Sequence, residues 1–242
     1  MNKPPIALLS TTLWEYPSQH YGESFQGDPL YKGATPSYVI WNLLKRYTRE
    51  SDLIVDPMVG SGTTIDVAKD LGRKVRGFDL EPYREDIEFA DARKLPLEND
   101  SVDFVFIDPP YSTHLKYSGK KECIGELDAR DTGYYEAMTQ VISEIHRVLK
   151  EKRMVALYVS DSFEKKKGFE PIGFKLFEIL QDSFTAVDII SVVRHNRSLK
   201  KSNWRLKAQE GNFFLRGFNY LFILKKDSQS RTARGRTATQ AP

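Results

Sequence analysis

The apolar residues of this chain fall into two rhythms. Short runs rich in β-branched and aromatic residues predict strands at Leu53-Ile54-Val55, Lys74 to Leu80, Ile87 to Asp91, Val102 to Ile107, Met154 to Ser160, Val187 to Val193 and Phe213 to Leu224. Val102 to Ile107 is broken only by Asp103, the pattern of a strand buried on both faces. Between these runs the spacing changes to three and four. Val39, Leu43 and Tyr47, with Ile40 and Leu44 beside them, predict a helix, with Thr35 at its N-cap and Pro36 in its first turn. Ile65 to Leu71 predicts a second helix, and Met138, Val141, Ile142, Ile145, Val148 and Leu149 a third. Phe174, Phe177, Ile179, Leu180 and Phe184 predict a fourth. Strands alternating with helices imply an open α/β sheet, and 242 residues suit a single such domain. Residues 1–34 have no sustained period and read as an irregular arm, with Leu13-Trp14-Glu15-Tyr16 a short strand or an aromatic plug.

Two junctions carry chemistry. In Leu53-Ile54-Val55-Asp56-Pro57-Met58-Val59-Gly60-Ser61-Gly62-Thr63-Thr64 a strand ends on an acid and a glycine turn leads into a helix, which Thr63 or Thr64 can cap. This is the first β-α unit of a nucleotide-binding sheet. It is neither G-x-G-x-x-G nor a phosphate loop, since no Lys follows Gly62. In Phe106-Ile107-Asp108-Pro109-Pro110-Tyr111 a strand runs into two prolines, which remove backbone donors and stop it beside a carboxylate and an exposed ring. Taken singly, the first is also an ordinary glycine turn and the second a proline turn. Between them Gly77-Phe78-Asp79-Leu80 ends another strand. In such sheets an acid there accepts hydrogen bonds from ribose hydroxyls, a place for Asp79 with Glu81 as its deputy.

Together, and in this order, the two junctions resemble those of the amino-group DNA methyltransferases, which methylate adenine N6 or cytosine N4. The likeness runs from about Gly33 to about Lys226. It implies a Rossmann-like sheet of seven strands, order 3-2-1-4-5-7-6, with helices on both faces, and S-adenosylmethionine as cofactor. Asp56, Pro57, Met58, Gly60, Gly62 and Thr63 would form the cofactor loop. Asp79, Leu80 and Glu81 would follow at the ribose, Asp91 and Ala92 at the adenine ring, and Thr35 and Pro36 (with Ala34) at the start of the first helix. The link from Glu81 to Asp86 is too short for the usual crossover helix, which loosens the placing of Glu81 and Asp91. By the same resemblance Asp108 and the Pro109 carbonyl would accept the two N–H groups of the target amine. Pro110 would stiffen the corner and Tyr111 would stack on a flipped-out base. Asp at position 108 favours adenine. Cytosine N4, an RNA amine, and a non-catalytic nucleic-acid-binding role stay open.

Composition sharpens one part of this. Residues 194–236 hold 12 Lys or Arg against Glu210 and Asp227, net +10, which leaves −7 on the rest of a chain whose total is +3. The excess marks a polyanion-binding face. Arg194, Arg197, Lys200, Lys201, Trp204, Arg205 and Lys207, in a loop from His195 to Asn212 and its flank, are the candidates to touch DNA; a solvated hairpin tip is the alternative. The polar stretch Ser112 to Asp131 is long enough to suggest function, whereas Glu164 to Gly168 reads as a solvated charged loop and 227–242 as a disordered basic tail. One cysteine and four scattered histidines offer no disulfide and no metal site. No apolar run is long enough to cross a membrane and no signal peptide opens the chain, so a cytoplasmic enzyme is expected. DNA is the implied partner. A cognate restriction endonuclease is compatible with the family, and the oligomeric state is open.

Overall fold

A computed structural model describes residues 6–31, 33–111, 119–195, 199 and 201–227. Its strands are β1 (Leu13–Trp14), β2 (Leu53–Asp56), β3 (Lys74–Asp79), β4 (Ile87–Phe89), β5 (Val102–Ile107), β6 (Leu149–Val159), β7 (Ser162–Glu164), β8 (Gly168–Glu170), β9 (Thr185–Val193) and β10 (Phe218–Lys225). Its helices are α1 (Ser37–Tyr47), α2 (Thr63–Asp70), α3 (Thr132–Val148), α4 (Ile172–Ser183) and α5 (Ser202–Glu210), with a short 3-10 turn at Ile124–Glu126. Eight strands make one sheet in the order β1-β9-β10-β6-β5-β2-β3-β4, and β7 and β8 form a separate hairpin.

Leaving β1 aside, this is the expected seven-strand order. The eighth strand corrects the count: Leu13 and Trp14 pair in parallel with Ser191 and Val192 on β9. Both readings of that segment hold at once, because Trp14 also buries its ring to 2% exposure while its indole N–H donates to the Thr11 carbonyl at 2.8 Å. A short edge strand of this kind covers the open backbone of β9 only at one end.

The period of two along each strand divides the core. Val55, Val105, Ile107, Val155, Leu157 and Val159 face α3 and α4, whereas Ile54, Phe104, Phe106, Ala156 and Tyr158 face α1 and α2. β5 is buried at all six positions, as its apolar run requires. Parallel pairing of β2 with β3 and β5 sets Asp56 opposite Gly77, and Ile54 and Val55 opposite Phe104 and Val105. Asp79 and Asp108 therefore emerge one pleat beyond Asp56 on neighbouring strands, at the carboxyl edge where open α/β sheets bind ligands. The antiparallel β10 enters the sheet at that same edge through Phe218 and Asn219.

Several elements differ from expectation. Pro36 is the N-cap of α1, no side chain caps that helix, and Thr35 lies outside it. Gly62, in the left-handed conformation at φ 82°, is the N-cap of α2, so neither Thr63 nor Thr64 caps it. β6 begins at Leu149, earlier than its apolar run, and β10 begins at Phe218: Phe213 to Arg216 approach the sheet outside the ladder, and the Gly217 carbonyl accepts from the Arg194 N–H at 2.9 Å. Phe174 faces solvent on α4, where Ile172, Leu176 and Leu180 are buried instead. The charged segment at 164–168 is the turn of the β7–β8 hairpin. Its Lys167 pairs with Asp128 at 3.0 Å and Glu164 with Arg130 at 3.0 Å, so opposite charges from the 119–131 stretch hold it. The basic connection from His195 to Asn212 contains α5 and is not irregular throughout. No helix among the described residues is long and apolar enough to span a membrane.

Candidate functional site

A cleft of about 1160 Å³ opens along the carboxyl edge. Of the residues expected at a cofactor, Thr35, Pro36, Asp56, Pro57, Met58, Gly60, Thr63, Asp79, Leu80, Glu81, Asp91 and Ala92 line it, as does Ala34. Asp108, Pro109, Pro110 and Tyr111 line the same space, and so does Arg194. Gly62 does not. It turns the chain into α2, and a Cβ there would meet the Arg84 guanidinium at 2.6 Å. Lys201, Trp204, Arg205 and Lys207 sit on α5 or its N-cap, away from the lining, while Arg197 and Lys200 fall outside the described residues.

The glycine loop is held from below by acids. Asp56 accepts from the Thr64 hydroxyl at 2.6 Å and from the Met58 N–H at 3.1 Å. Asp79 accepts from the Gly60 N–H at 3.1 Å and the Glu81 N–H at 2.9 Å, and the Leu80 N–H adds a further bond that favours its charge. Gly60 has φ 46°, and a Cβ there would lie 2.8 Å from the Tyr31 hydroxyl, so this turn needs glycine both for its conformation and for its neighbour. The side chains of Thr63 and Ser61 bond each other at 2.8 Å. Asp91 is grasped by Arg93, whose Nε and terminal nitrogen reach its two oxygens at 2.9 and 2.6 Å. Any ligand group at Asp91 must share those oxygens with a guanidinium.

At the other end Asp108 accepts from the Thr35 hydroxyl at 2.5 Å. Burial pushes its carboxyl up to about 7; the Thr35 bond opposes this, the Asp56 charge adds to it and Arg194 draws it back. Burial likewise raises Asp56 to about 7 against the bonds from Thr64 and Met58, and raises Asp79 against the N–H groups of Glu81 and Gly60. Two acids that titrate near neutrality and face one cleft repel each other, and Arg194, whose own guanidinium donates to Ser160 Oγ at 3.1 Å, supplies the countercharge. The Tyr111 ring is half-buried against the α3–α4 side of the core, not freely exposed. Burial and the Asp108 charge push its phenol up to about 12 against Arg194 and the Ser160 N–H.

Some lining residues gave no signal in the sequence. Tyr31 and Tyr83 form an edge-to-face pair at 5.4 Å over the loop, Tyr31 carried by the segment whose Asp28 N–H reaches the Ser61 carbonyl at 2.9 Å and Tyr83 by the link from β3 to β4. Leu215, Arg216 and Asn219 enter from the β10 side. Asn219 is 9% exposed; its amide bonds the Tyr158 hydroxyl and its Oδ1 is buried with no hydrogen-bond partner. Cys123 is free and, with Ile124, lines the cleft from the long polar stretch; 112–118 of that stretch lie outside the described residues. No group of three or more potential metal ligands occurs among the described residues.

A family model described as DNA methylase matches residues 8–89 and 102–237, most of the chain. The Type II methyltransferase M2.DpnII of Streptococcus pneumoniae is 42% identical over 66 residues, 27% of this chain and 24% of that protein. The DNA adenine methyltransferase YhdJ of Escherichia coli K12 is 27% identical over 142 residues, 58% of this chain and 45% of its own length. The chain thus spans less than half the length of the curated relatives it matches. Among solved structures, TrmN from Thermus thermophilus superposes with a TM-score of 0.52 at 19% identity over 81% of this chain and 50% of that one, a likeness of fold alone.

Proposed function

The chain belongs to the N6/N4 DNA methylase family, and from that premise we propose that it transfers a methyl group from S-adenosylmethionine to the exocyclic N6 of a flipped-out adenine in DNA. The supporting observation is that one cleft receives both the acids of the glycine loop and the Asp108-Pro109-Pro110-Tyr111 corner, so a bound cofactor and a target base meet without any domain movement.

The residues present fit the cofactor. A carboxylate has about four lone-pair sites, more than the N–H groups of Gly60, Glu81 and Leu80 take up, which leaves room at Asp79 for a ribose hydroxyl, and Met58, Leu80, Ala92 and Ile124 offer apolar surface to a purine. Bound there, S-adenosylmethionine supplies a sulfonium-activated methyl group. Neither Asp56 nor Asp79 has a Lys or Arg ion partner among the described residues, and the Asp79 charge adds to burial in raising Asp56, so a cationic ligand relieves a repulsion already present.

The N6 lone pair of adenine is delocalised into the ring, which makes the amine a poor nucleophile. Asp108 accepts one N–H and the Pro109 carbonyl the other, favouring the pyramidal amine whose lone pair is available. The two prolines keep that carbonyl from turning, and Tyr111 offers a ring to the base. Rate then comes from positioning and from fixed dipoles rather than from a covalent intermediate. An adenine inside a duplex cannot reach the cleft floor, so the base must leave the stack at a cost of about a few kcal/mol. Arg194 at the cleft and the basic connection beyond it supply the nucleic-acid face. As in Type II systems, a cognate restriction endonuclease would share the recognition site.

The test is to incubate the protein with methyl-labelled S-adenosylmethionine and genomic DNA or total RNA, then digest to nucleosides. Label in N6-methyldeoxyadenosine is expected. Label in N4-methyldeoxycytidine overturns the base, label in RNA overturns the polymer, and no label in either overturns the activity.

A further inference from the structure

We propose that Thr35 is a positioning residue for Asp108, its hydroxyl fixing which carboxylate oxygen turns toward the target amine. The inference rests on the reading of Asp108 as acceptor of that amine. Sequence alone puts Thr35 at a helix cap and at the cofactor. Neither use occupies its hydroxyl. Pro36 caps α1 without a side-chain bond, and the first amide of the helix, Ser37 N–H, goes to the Gln19 carbonyl at 3.0 Å. Thr35 itself is 7% exposed, and its donor is spent on Asp108 Oδ2 at 2.5 Å. A β-branched residue holds χ1 firmly, so the hydroxyl is a fixed point rather than a rotor.

That fixed point matters because of what else surrounds the carboxylate. Asp56 at the end of β2 repels it, Arg194 beyond β9 attracts it, and the phenols of Tyr31, Tyr111 and Tyr158 stand near it uncharged. A carboxylate placed only by these longer-range forces has no preferred oxygen. With Oδ2 anchored by Thr35, Oδ1 is left for the cleft. The same bond favours the ionised form against burial, which raises the share of Asp108 that faces the amine as an acceptor and not as a hydroxyl donor.

Thr35→Val keeps shape and removes the donor, and Thr35→Ser restores it. Three readouts separate the roles: calorimetric affinity for S-adenosylmethionine, single-turnover DNA methylation at saturating cofactor across pH, and a ¹³C-carboxyl NMR titration of Asp108 in the free protein. The valine variant should lose about tenfold or more in single-turnover rate, the worth of a hydrogen bond to a charged group. Its acid limb and the Asp108 resonance should both titrate at higher pH, with cofactor affinity unchanged, and serine should recover all three. If the valine variant does not fold, Thr35→Ala against Thr35→Ser makes the same comparison. A wild-type rate with an unmoved titration overturns the inference. So does a rate loss matched by an equal loss of cofactor affinity, which returns Thr35 to the cofactor. Failure of the underlying reading shows elsewhere, as Asp108→Ala turning over at the wild-type rate.

Discussion

The floor and the rim of the cleft are built on opposite principles. On the floor Asp56, Asp79 and Asp108 stand at the ends of three adjacent parallel strands, each with a named donor and none with a Lys or Arg ion partner among the described residues. At the rim α5 carries Trp204 at 42% exposure, buries only Ala208, and makes mostly local bonds, such as Arg205 Nε to the Leu199 carbonyl at 3.1 Å and Lys207 over the Trp204 ring at 5.3 Å. Buried charge is costly and therefore positioned; exposed charge is cheap and acts at a distance. Floor substitutions should thus change chemistry, cofactor affinity or stability steeply. Rim substitutions should change encounter with DNA gradually and with salt.

The largest effect is expected at the floor. Asp108→Ala removes the amine acceptor and should lower turnover by about 10²–10³-fold, the range for loss of a pre-organised transition-state partner. Calorimetry on the same variant should find S-adenosylmethionine bound about as tightly as before. Wild-type turnover would move the chemistry away from the proline corner.

Next comes the stability that the floor gives up. Asp56 is raised from 3.8 to about 7, so between those values the folded state holds a proton that the unfolded chain has lost. Stability therefore falls as pH rises from about 4 to about 7, by on the order of 4 kcal/mol at most for this group. Ion-paired acids have the reverse sign: Asp86, lowered to about 2 by Arg84 first and then Lys69, contributes stability above pH 4 that is lost on acidification. Urea unfolding of the cofactor-free protein at pH 5.5 and pH 8 should show a drop that Asp56→Asn reduces by its own share, leaving the part that Asp108, raised as far, and Asp79 contribute. The asparagine can still accept from Met58 and donate to Thr64, whose hydroxyl can rotate to receive it. An equal pH slope in the variant would mean that Asp56 is not the group responsible.

What could be read from the chain divides along the same line as floor and rim. The strands, the glycine turn and the proline corner were legible because local chemistry dictates them: an apolar run buried on both faces, a glycine at positive φ, two prolines that end β5; the strand order came only through the family resemblance that the two junctions carry. The cap role of Thr35 was misread because its residue type predicts one, while the partner of its hydroxyl, 73 residues on, exists only in the folded sheet. Asn219, Tyr31 and Tyr83 were missed for the same reason: a strand start and a loop without periodicity give no sign of which side chains will meet. The α5 helix escaped notice because no apolar face marks it, and only Ala208 is buried.

Asp79→Ala should produce a smaller, selective loss. Removing a charged acceptor weakens S-adenosylmethionine by about tenfold or more, and also frees the Gly60 N–H that the carboxylate holds. Asp79→Asn keeps an acceptor oxygen and should fall between the two. If Asp79→Ala binds the cofactor with wild-type affinity while remaining folded, the ribose contact lies elsewhere.

The smallest and most diagnostic change is expected on α5. Lys201 and Lys207 do not line the cleft, and the acid of this helix, Glu210, closes it at the far end. If both lysines neutralise DNA phosphates, Lys201→Ala with Lys207→Ala should flatten the log–log dependence of DNA affinity on salt by about 0.9 for each phosphate no longer neutralised. Turnover at low salt and saturating DNA should stay at the wild-type level, since no group at the floor has moved. Trp204→Ala should leave the slope alone and change site preference instead, because a ring contributes by stacking, not by counterion release. An unchanged slope in the double lysine variant would make α5 a solvated helix and leave Arg194 and Arg216, the basic residues that line the cleft, as the nucleic-acid face.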